Sequence, residues 1–120
     1  MNQCRIELSG GPSFHPGEVV TGFAEWDLPG VTGAEVRLFW RTSGKGTPDT
    51  ATAGVVRWER PAARERREFR LTLPDSPYSF SGKLISLLWA VELVVEPRRD
   101  AVRAEIVMSP TGKEIRLGGG

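Results

Sequence analysis

Residues 73–96, LPDSPYSFSGKLISLLWAVELVVE, contain the strongest structural signal in this 120-residue chain. It opens with a turn bounded by Pro74 and Pro77 and continues as an apolar run rich in Val, Leu and Ile. The run holds no helix cap, and its β-branched residues favour extended backbone. A short apolar run that follows turn signals is typical of a strand buried on both faces. The segment therefore predicts one long central strand over residues 83–96.

The rest of the chain is cut by glycines and prolines into short segments of alternating polarity, which is the pattern of half-buried strands. The predicted strands cover residues 3–9, 18–28, 34–42, 52–60, 66–73, 83–96 and 102–108, with a short eighth at 114–117. No window of ten residues has a helical stripe. A single helical turn over 62–69 is the best alternative, and we favour a strand there. The prediction is an all-β fold, an immunoglobulin-like antiparallel β-sandwich of about seven or eight strands.

Composition adds that this sandwich is one domain over residues 1–117, followed by a flexible glycine tail at 118–120. The net charge of +1 gives no overall field that would attract nucleic acid. The apolar run at 84–95 is shorter than the ~20 residues of a spanning helix, so no membrane span is expected. One cysteine and no visible signal peptide indicate a cytoplasmic protein.

Three stretches of this chain resemble the arrestin-like family in its N-terminal sandwich domain. In PYSFSGKLISLLWAVEL, residues 77–93, the proline turn, the aromatic residue, the glycine and the core motif fall on Pro77, Phe80, Gly82, Trp89 and Val91. FHPGEVVTGFAEWDL, residues 14–28, is similar to the family's Y-x-P-G-x-x-V-x-G stretch, with Phe14 in the aromatic place. AEVRLFWRTSGKGTPD, residues 34–49, looks like the V-x-L-x-W element of small bacterial relatives. The resemblance covers most of residues 14–110.

The resemblance implies an arrestin-type sandwich that serves as an adaptor or scaffold without chemistry of its own. Arrestins have two such domains, and this chain has room for one. The charged polar core of the visual arrestins has no clear place here, so receptor binding and phosphate sensing are not carried over. A single domain that pairs with itself would restore the two-sandwich arrangement, which makes a homodimer a natural hypothesis.

A run of arginines is the first candidate partner-binding site. Arg64, Arg66, Arg67 and Arg70 alternate with glutamates, so the local net charge is small. Such a segment is typical of a solvated edge strand whose charges block pairing with other chains. The alternative is a docking patch for an acidic or phosphorylated peptide.

Two aromatic residues and one lysine complete the candidate partner-binding set. Phe23 and Phe39 fall on the strand phase opposite to the neighbouring tryptophans, so we expect them to be exposed or to cover a second interface. Lys45 lies in the loop TSGKGTPD, residues 42–49, which lacks the earlier glycine and the following helix of a phosphate loop. We expect a mobile loop with Lys45 at its tip, positioned to touch a partner.

Catalysis and metal binding have no visible residues in this sequence. With one histidine and one cysteine, no metal site, cofactor or catalytic constellation is predicted. The four tryptophans fall on inward phases, which favours core packing over a carbohydrate-stacking platform. The predicted function is a non-enzymatic protein-interaction module, with self-association as one hypothesis. The alternative is a module that binds carbohydrate or another small ligand.

Overall fold

The computed structural model describes residues 3–116, and every regular element within them is a strand. The strands are β1 (Cys4–Leu8), β2 (Ser13–Phe14), β3 (Val19–Asp27), β4 (Gly33–Gly44), β5 (Thr50–Glu59), β6 (Arg64–Thr72), β7 (Phe80–Ser81), β8 (Ile85–Glu96), β9 (Asp100–Met108) and β10 (Ile115–Arg116). The glycine tail predicted at 118–120 and the last residue of the predicted eighth strand lie outside the described residues.

The strands form two sheets with a shared core, which confirms the predicted all-β sandwich. The small sheet has the order β1-β3-β6, and both of its pairings are antiparallel. The large sheet runs β10-β7-β8-β4-β5, and β9 pairs with β8 beside β7. β8 therefore has neighbours on both sides, as predicted for the central strand. The two-residue strands β2 and β10 depart from the antiparallel rule, since they pair parallel with β9 and β7.

β3 shows why the sequence alternates as it does. Val20, Ala24 and Trp26 are buried in the core, while the outward positions 21, 23 and 25 are half-buried. Gly22 occupies the remaining inward position, where a Cβ atom would lie 2.1 Å from the backbone oxygen of Glu7. It would also lie 2.9 Å from the Cζ atom of Phe69. The glycine of the PGEVVTG stretch is thus a close-approach residue between neighbouring strands.

Two tryptophans fill the centre of the sandwich, one from each sheet. Trp26 and Trp89 are at most 1% exposed. The Trp26 indole N–H donates to the carbonyl of Ala62 at 2.9 Å, and the Trp89 N–H donates to that of Pro77 at 2.8 Å. These two carbonyls lie in the connections before and after β6. The polar atom of each buried indole is thereby satisfied, and each bond ties a loop to the core.

Three local predictions need correction or comment. β2 and β7 were not predicted, because two residues are too few to show a period-2 pattern. No helical turn forms over 62–69, since β6 begins at Arg64. The predicted strand at 83–96 starts two residues later, at Ile85. Within residues 3–116, no helix is long and apolar enough to cross a membrane.

Candidate functional site

The candidate arginines lie on β6, which among the strands of residues 3–116 pairs only with β3 and is therefore an edge strand of the small sheet. This placement confirms the prediction of a charged edge strand. Arg64, Arg66 and Arg70 alternate with the inward positions, which end in the buried Phe69 and Leu71. Arg67 falls on the inward phase and donates to Glu65 beside it. The four arginines thus divide between two faces instead of forming one patch.

The outer face of the small sheet has as many carboxylates as guanidinium groups. The register places on this face Arg5, Arg64, Arg66, Arg70, Glu7, Glu25, Asp27 and Glu68. Arg66 lies 3.8 Å from Glu7 and 3.9 Å from Glu25, and Arg64 lies 3.8 Å from Asp27. These contacts are long and solvent-exposed, so each is worth little in stability. An acidic or phosphorylated ligand would have to compete with the carboxylates already present.

The two candidate phenylalanines have different surroundings. Phe23 is half-buried, and the guanidinium carbon of Arg66 lies 4.3 Å from its ring centroid. Phe39 is only 8% exposed, and the guanidinium carbon of Arg103 lies 5.0 Å from its ring centroid. The expectation of an exposed aromatic pair is therefore wrong for Phe39. Arg103 belongs to β9, which lies two strands away from β4 in the sheet. The alternation pattern of β4 alone cannot show that a side chain from another strand covers the Phe39 ring.

A cluster of ion pairs on the outer face of the large sheet was missed by the sequence analysis. The Arg57 guanidinium donates to Glu35 at 2.9 Å, to Glu96 at 2.6 Å and also to Glu59. Arg37 donates to Glu35 as well. These residues belong to the adjacent strands β5, β4 and β8, so the cluster became visible only once the strands were aligned. We call these five residues the Arg57 cluster.

The contacts of the Arg57 cluster shift the pKa values of Glu35 and Arg57. Partial burial raises the pKa of Glu35, but the hydrogen bonds from Arg37 and Arg57 outweigh it and hold that pKa below its usual value. The hydrogen bonds to Glu59, Glu96 and Glu35 raise the pKa of Arg57. Glu35 and Arg57 are thus held in their charged forms near neutral pH, which is the behaviour of a structural cluster.

Gly33 provides the space for this cluster. A Cβ atom at residue 33 would lie 2.6 Å from Nη2 of Arg57 and 2.9 Å from Oε1 of Glu96. The register pairs Gly33 with Glu96 on one side and Glu59 on the other. The absence of a side chain lets the guanidinium cross over the β4 backbone to reach β8.

Lys45 lies at the tip of the β4–β5 hairpin and is exposed. The hairpin closes through hydrogen bonds from the Thr42 amide to the Asp49 carbonyl and from the Asp49 amide to Thr42 Oγ1, each 2.8 Å long. The Lys45 amide donates to the carbonyl of Leu84 at 2.8 Å, and Leu84 itself is 64% exposed. A strand follows this loop, so the arrangement of a phosphate loop is absent here.

β5 is the second edge strand on this side of the sandwich, and it differs from β6. Of the strands that the structure describes, β5 pairs only with β4, and its residues Thr50–Val56 include no charged residue and no proline. Val55 is 49% exposed. The register with β4 shifts between Leu38 and Phe39, which leaves Ala53 as an extra, bulged residue. Apart from that bulge, this stretch lacks the charged side chains and prolines that discourage pairing at sheet edges.

The tryptophans do not form an exposed stacking surface. Trp26 and Trp89 are buried, and Trp40 and Trp58 are half-buried against the core. The Trp26 and Trp58 ring centroids are 5.7 Å apart with the planes tilted by 40°. This geometry is typical of aromatic packing inside a core.

An open cleft of about 500 Å³ lies where β1, β3 and β6 meet. Its charged lining residues are Arg5, Glu25, Asp27, Arg64, Glu65 and Arg66. Burial, and then the charge of Asp100, raise the pKa of Cys4 in its wall, while hydrogen bonds from the Ala62 amide and Arg67 lower the pKa of Glu65. Both shifts move these groups away from titration near neutral pH, which is opposite to the need of acid–base catalysis.

His15 and Glu18 form an exposed pair at the turn before β3. The His15 amide donates to the Glu18 carboxylate, and Nδ1 lies 2.9 Å from the same oxygen. These contacts lower the pKa of Glu18. In the part of the chain that the structure describes, no group of three or more His, Cys, Asp or Glu residues could hold a metal ion.

No family model and no curated protein sequence matches this chain. Its fold is similar to that of Spo0M, a sporulation control protein from Bacillus subtilis, with a TM-score of 0.64 and 17% identity. That match covers 89% of this chain and 49% of the Bacillus protein, so this chain spans about half of its length. A β-glucosidase from Listeria innocua matches with a TM-score of 0.50 and 11% identity, over 94% of this chain and 16% of the enzyme. At these identities the likeness is one of fold. The Bacillus protein has an arrestin-like fold, which agrees with the resemblance in the sequence.

Proposed function

We propose that this chain is a non-enzymatic protein-interaction module, an adaptor or scaffold that receives an extended partner strand at the β5 edge. The observation that carries the proposal is the uncharged edge at Thr50–Val56, whose backbone has no strand partner on its outer side within residues 3–116. Strand addition at such an edge supplies main-chain hydrogen bonds for affinity and side-chain contacts for specificity.

The contrast with β6 supports this choice of surface. β6 has seven charged or hydroxyl side chains in nine residues and resists pairing, whereas the first seven residues of β5 have no charge. The regulatory role of the Bacillus subtilis neighbour, a sporulation control protein, is in keeping with a module that binds and does not catalyse. In this proposal the module works in the cytoplasm, where its single cysteine stays reduced.

The alternative, a carbohydrate- or small-ligand-binding module, has less support. A stacking platform needs exposed aromatic faces, and the four tryptophans are buried or half-buried. The cleft beside Cys4 is lined by charges of both signs that already face one another. We therefore retain the protein-interaction module as the proposal.

The test is affinity capture from an extract of the native cells with three forms of the full chain. Val55→Lys places a charge on the β5 edge, and Val19→Lys makes the same change at a valine of similar exposure, 39% against 49%, away from that edge. We expect the wild type and Val19→Lys to retain a specific partner and Val55→Lys to lose it. A double variant, Arg66→Met with Arg67→Met, tests the arginine alternative.

Three results would contradict the proposal. Equal capture by all forms would mean that β5 is not the binding edge, and loss only in the arginine variant would move the site to β6. Binding of a glycan with no protein partner would favour the alternative function. Thermal unfolding of each variant confirms that the fold is kept.

A further inference from the structure

The second half of β5 is a regular strand with one unpaired side. Past the bulge at Ala53, residues 54–58 oppose residues 38–34 of β4 without interruption. Val55 and Arg57 face the outer side with Arg37 and Glu35, while Gly54, Val56 and Trp58 face the core side. The other long edge of the large sheet, β9, is partly covered, because β2 pairs with Val107 and Met108. Within residues 3–116, Asp100–Ile106 of β9 also have no strand partner on their outer side, but they include the charged Asp100, Arg103 and Glu105, whereas residues 50–56 of β5 include no charge.

We propose that a second copy of this chain occupies this edge, with residues 54–58 of the two copies pairing antiparallel about a two-fold axis at Val56. The proposal rests on the proposed function, since it names the strand that β5 receives. A two-fold contact of this kind is closed, so it yields a dimer and not a filament.

The side chains facing the core side complement one another in this register. Val56 lies opposite Val56 of the second copy, which is a favourable β-branched pair. Gly54 lies opposite Trp58 of the second copy. Trp58 is half-buried in the free chain, and an aromatic ring across from a glycine covers the bare backbone that the glycine leaves. Each dimer contains this glycine–tryptophan pair twice.

The side chains on the outer side also suit the pairing. Val55, 49% exposed in the free chain, lies opposite Arg57 of the second copy. The guanidinium of Arg57 is held over β4 by its hydrogen bonds to three carboxylates, so its charge is directed toward β8 and away from the incoming strand. The contact therefore buries apolar surface without stranding an unpaired charge.

Neighbouring registers fit less well. An axis one residue further along the chain sets Arg57 against Arg57 of the second copy, which is repulsive. An axis nearer Thr50 spans the bulge. Thr52 and Val55 both face the outer side, so the alternation of faces is broken between them. The axis at Val56 keeps the whole pairing on the regular side of the bulge.

The first test is the oligomeric state of the full chain by sedimentation velocity over a concentration series. We expect a reversible monomer–dimer equilibrium for the wild type and for Val19→Lys. In Val55→Lys, a lysine faces Arg57 of the second copy at two symmetric places, and we expect the dimer dissociation constant to rise at least tenfold. A wild type that stays monomeric at all concentrations overturns the proposal, and so does an unchanged dimer in Val55→Lys.

The second test fixes the register by cysteine crosslinking in a Cys4→Ala background. Val56→Cys would place two thiols on the axis with Cα atoms about 5 Å apart, within disulfide range. Ala51→Cys is the matched control, because its two copies would be roughly 30 Å apart in this register. We expect at least tenfold more disulfide-linked dimer from Val56→Cys under mild oxidation. Equal crosslinking of both variants, or crosslinking of Ala51→Cys alone, overturns the register.

These tests separate the inference from the proposed function. If the chain is monomeric but loses its captured partner on Val55→Lys, β5 remains a strand-addition site and the second copy is not its occupant. If the chain dimerises through Val56 yet captures no other protein, the dimer proposal is supported and the proposed adaptor function is contradicted.

Discussion

The two sheets of this sandwich use arginine and glutamate in opposite ways. In the small sheet, the charges are spread along the outer face and the edge, and the contacts of Arg66 are 3.8–3.9 Å long. In the large sheet, they converge on Arg57, whose contact with Glu96 is 2.6 Å long. The side chain of Glu35 there is only 12% exposed. The same residue types therefore protect an edge in one sheet and build a structural cluster in the other.

The difference explains which edge is open. Arginines and glutamates spread along β6 oppose any incoming strand. The charges of the large sheet are gathered at Arg57, which leaves Thr50–Val56 without any. Where a protein places its charges thus decides which of two neighbouring edges is available to a partner.

The largest predicted effect is on the free energy of unfolding, when a glycine of the small sheet or of the large sheet is replaced by alanine. Gly22→Ala sets a Cβ atom 2.1 Å from a backbone oxygen, so two strands must move apart, and we expect a loss of about 3 kcal/mol or more in the free energy of unfolding. Gly33→Ala meets only the ends of Arg57 and Glu96. We expect about 1 kcal/mol there, because side-chain ends can move aside. Urea unfolding of both variants measures the difference.

A matched substitution at Gly10 provides the control, since no atom lies within 4 Å of a Cβ built there. The comparison of the sheets would fail if Gly33→Ala were as destabilising as Gly22→Ala. That result would mean that the Arg57 cluster is as rigid as the backbone.

The next effect separates the two kinds of arginine. Arg57→Met leaves three carboxylates without their shared donor, one of them in the half-buried Glu35, and we expect the thermal midpoint to fall by roughly 5 °C. Arg66→Met removes only long, exposed contacts and the stacking on Phe23, so its midpoint should change by about 2 °C or less. Differential scanning calorimetry of both variants measures the two thermal midpoints. Equal midpoints would show that the Arg57 cluster is no more structural than the outer face of the small sheet.

The smallest effect is a dependence on acid. Partial burial raises the pKa of Glu35, and the hydrogen bonds from Arg37 and Arg57 outweigh it, so the folded value lies below the ordinary 4.5. The stabilisation is therefore complete above pH 4.5 and is lost as the pH falls through the folded pKa. We expect Glu35→Gln to lower the thermal midpoint at neutral pH and to flatten its decline in acid.

Glu65→Gln is the counterpart in the small sheet. Hydrogen bonds from the Ala62 amide, and then from Arg67, lower the pKa of Glu65. Its contribution to stability is therefore also lost as the pH falls through the folded pKa. Thermal unfolding between about pH 3 and pH 7 compares the two variants with the wild type. An acid decline that is unchanged in both variants would contradict this account of the two carboxylates.

Much of the architecture follows from patterns within single segments. The alternation of Val20, Ala24 and Trp26 indicates one buried face of β3, and the apolar run of residues 84–91, interrupted only by Ser86, indicates the central strand. Both patterns arise because the buried faces of a strand need apolar residues, and this need is visible within the segment itself. The charges of β6 likewise indicate an edge strand before its neighbours are known.

The features that were missed depend on contacts between segments far apart in the chain. Arg57 reaches Glu96 across 39 residues, and Arg103 covers Phe39 from a strand two places away. The bulge at Ala53 is a property of the β4–β5 register and not of β5 alone. The β5 edge was likewise recognised only after the sheet order was known, because a sequence of small uncharged residues does not reveal what lies beside it.

The two indole hydrogen bonds have a consequence for the edge strand that they flank. Trp26 holds Ala62 before β6, and Trp89 holds Pro77 after it, so the strand is tied to the interior at both ends although it pairs along one side only. An edge strand tied in this way has no loose end from which to fray. We expect β6 to detach from the sandwich only when the hydrogen bonds of both buried indoles break. The charged edge strand and the two core tryptophans would then unfold together as one cooperative unit.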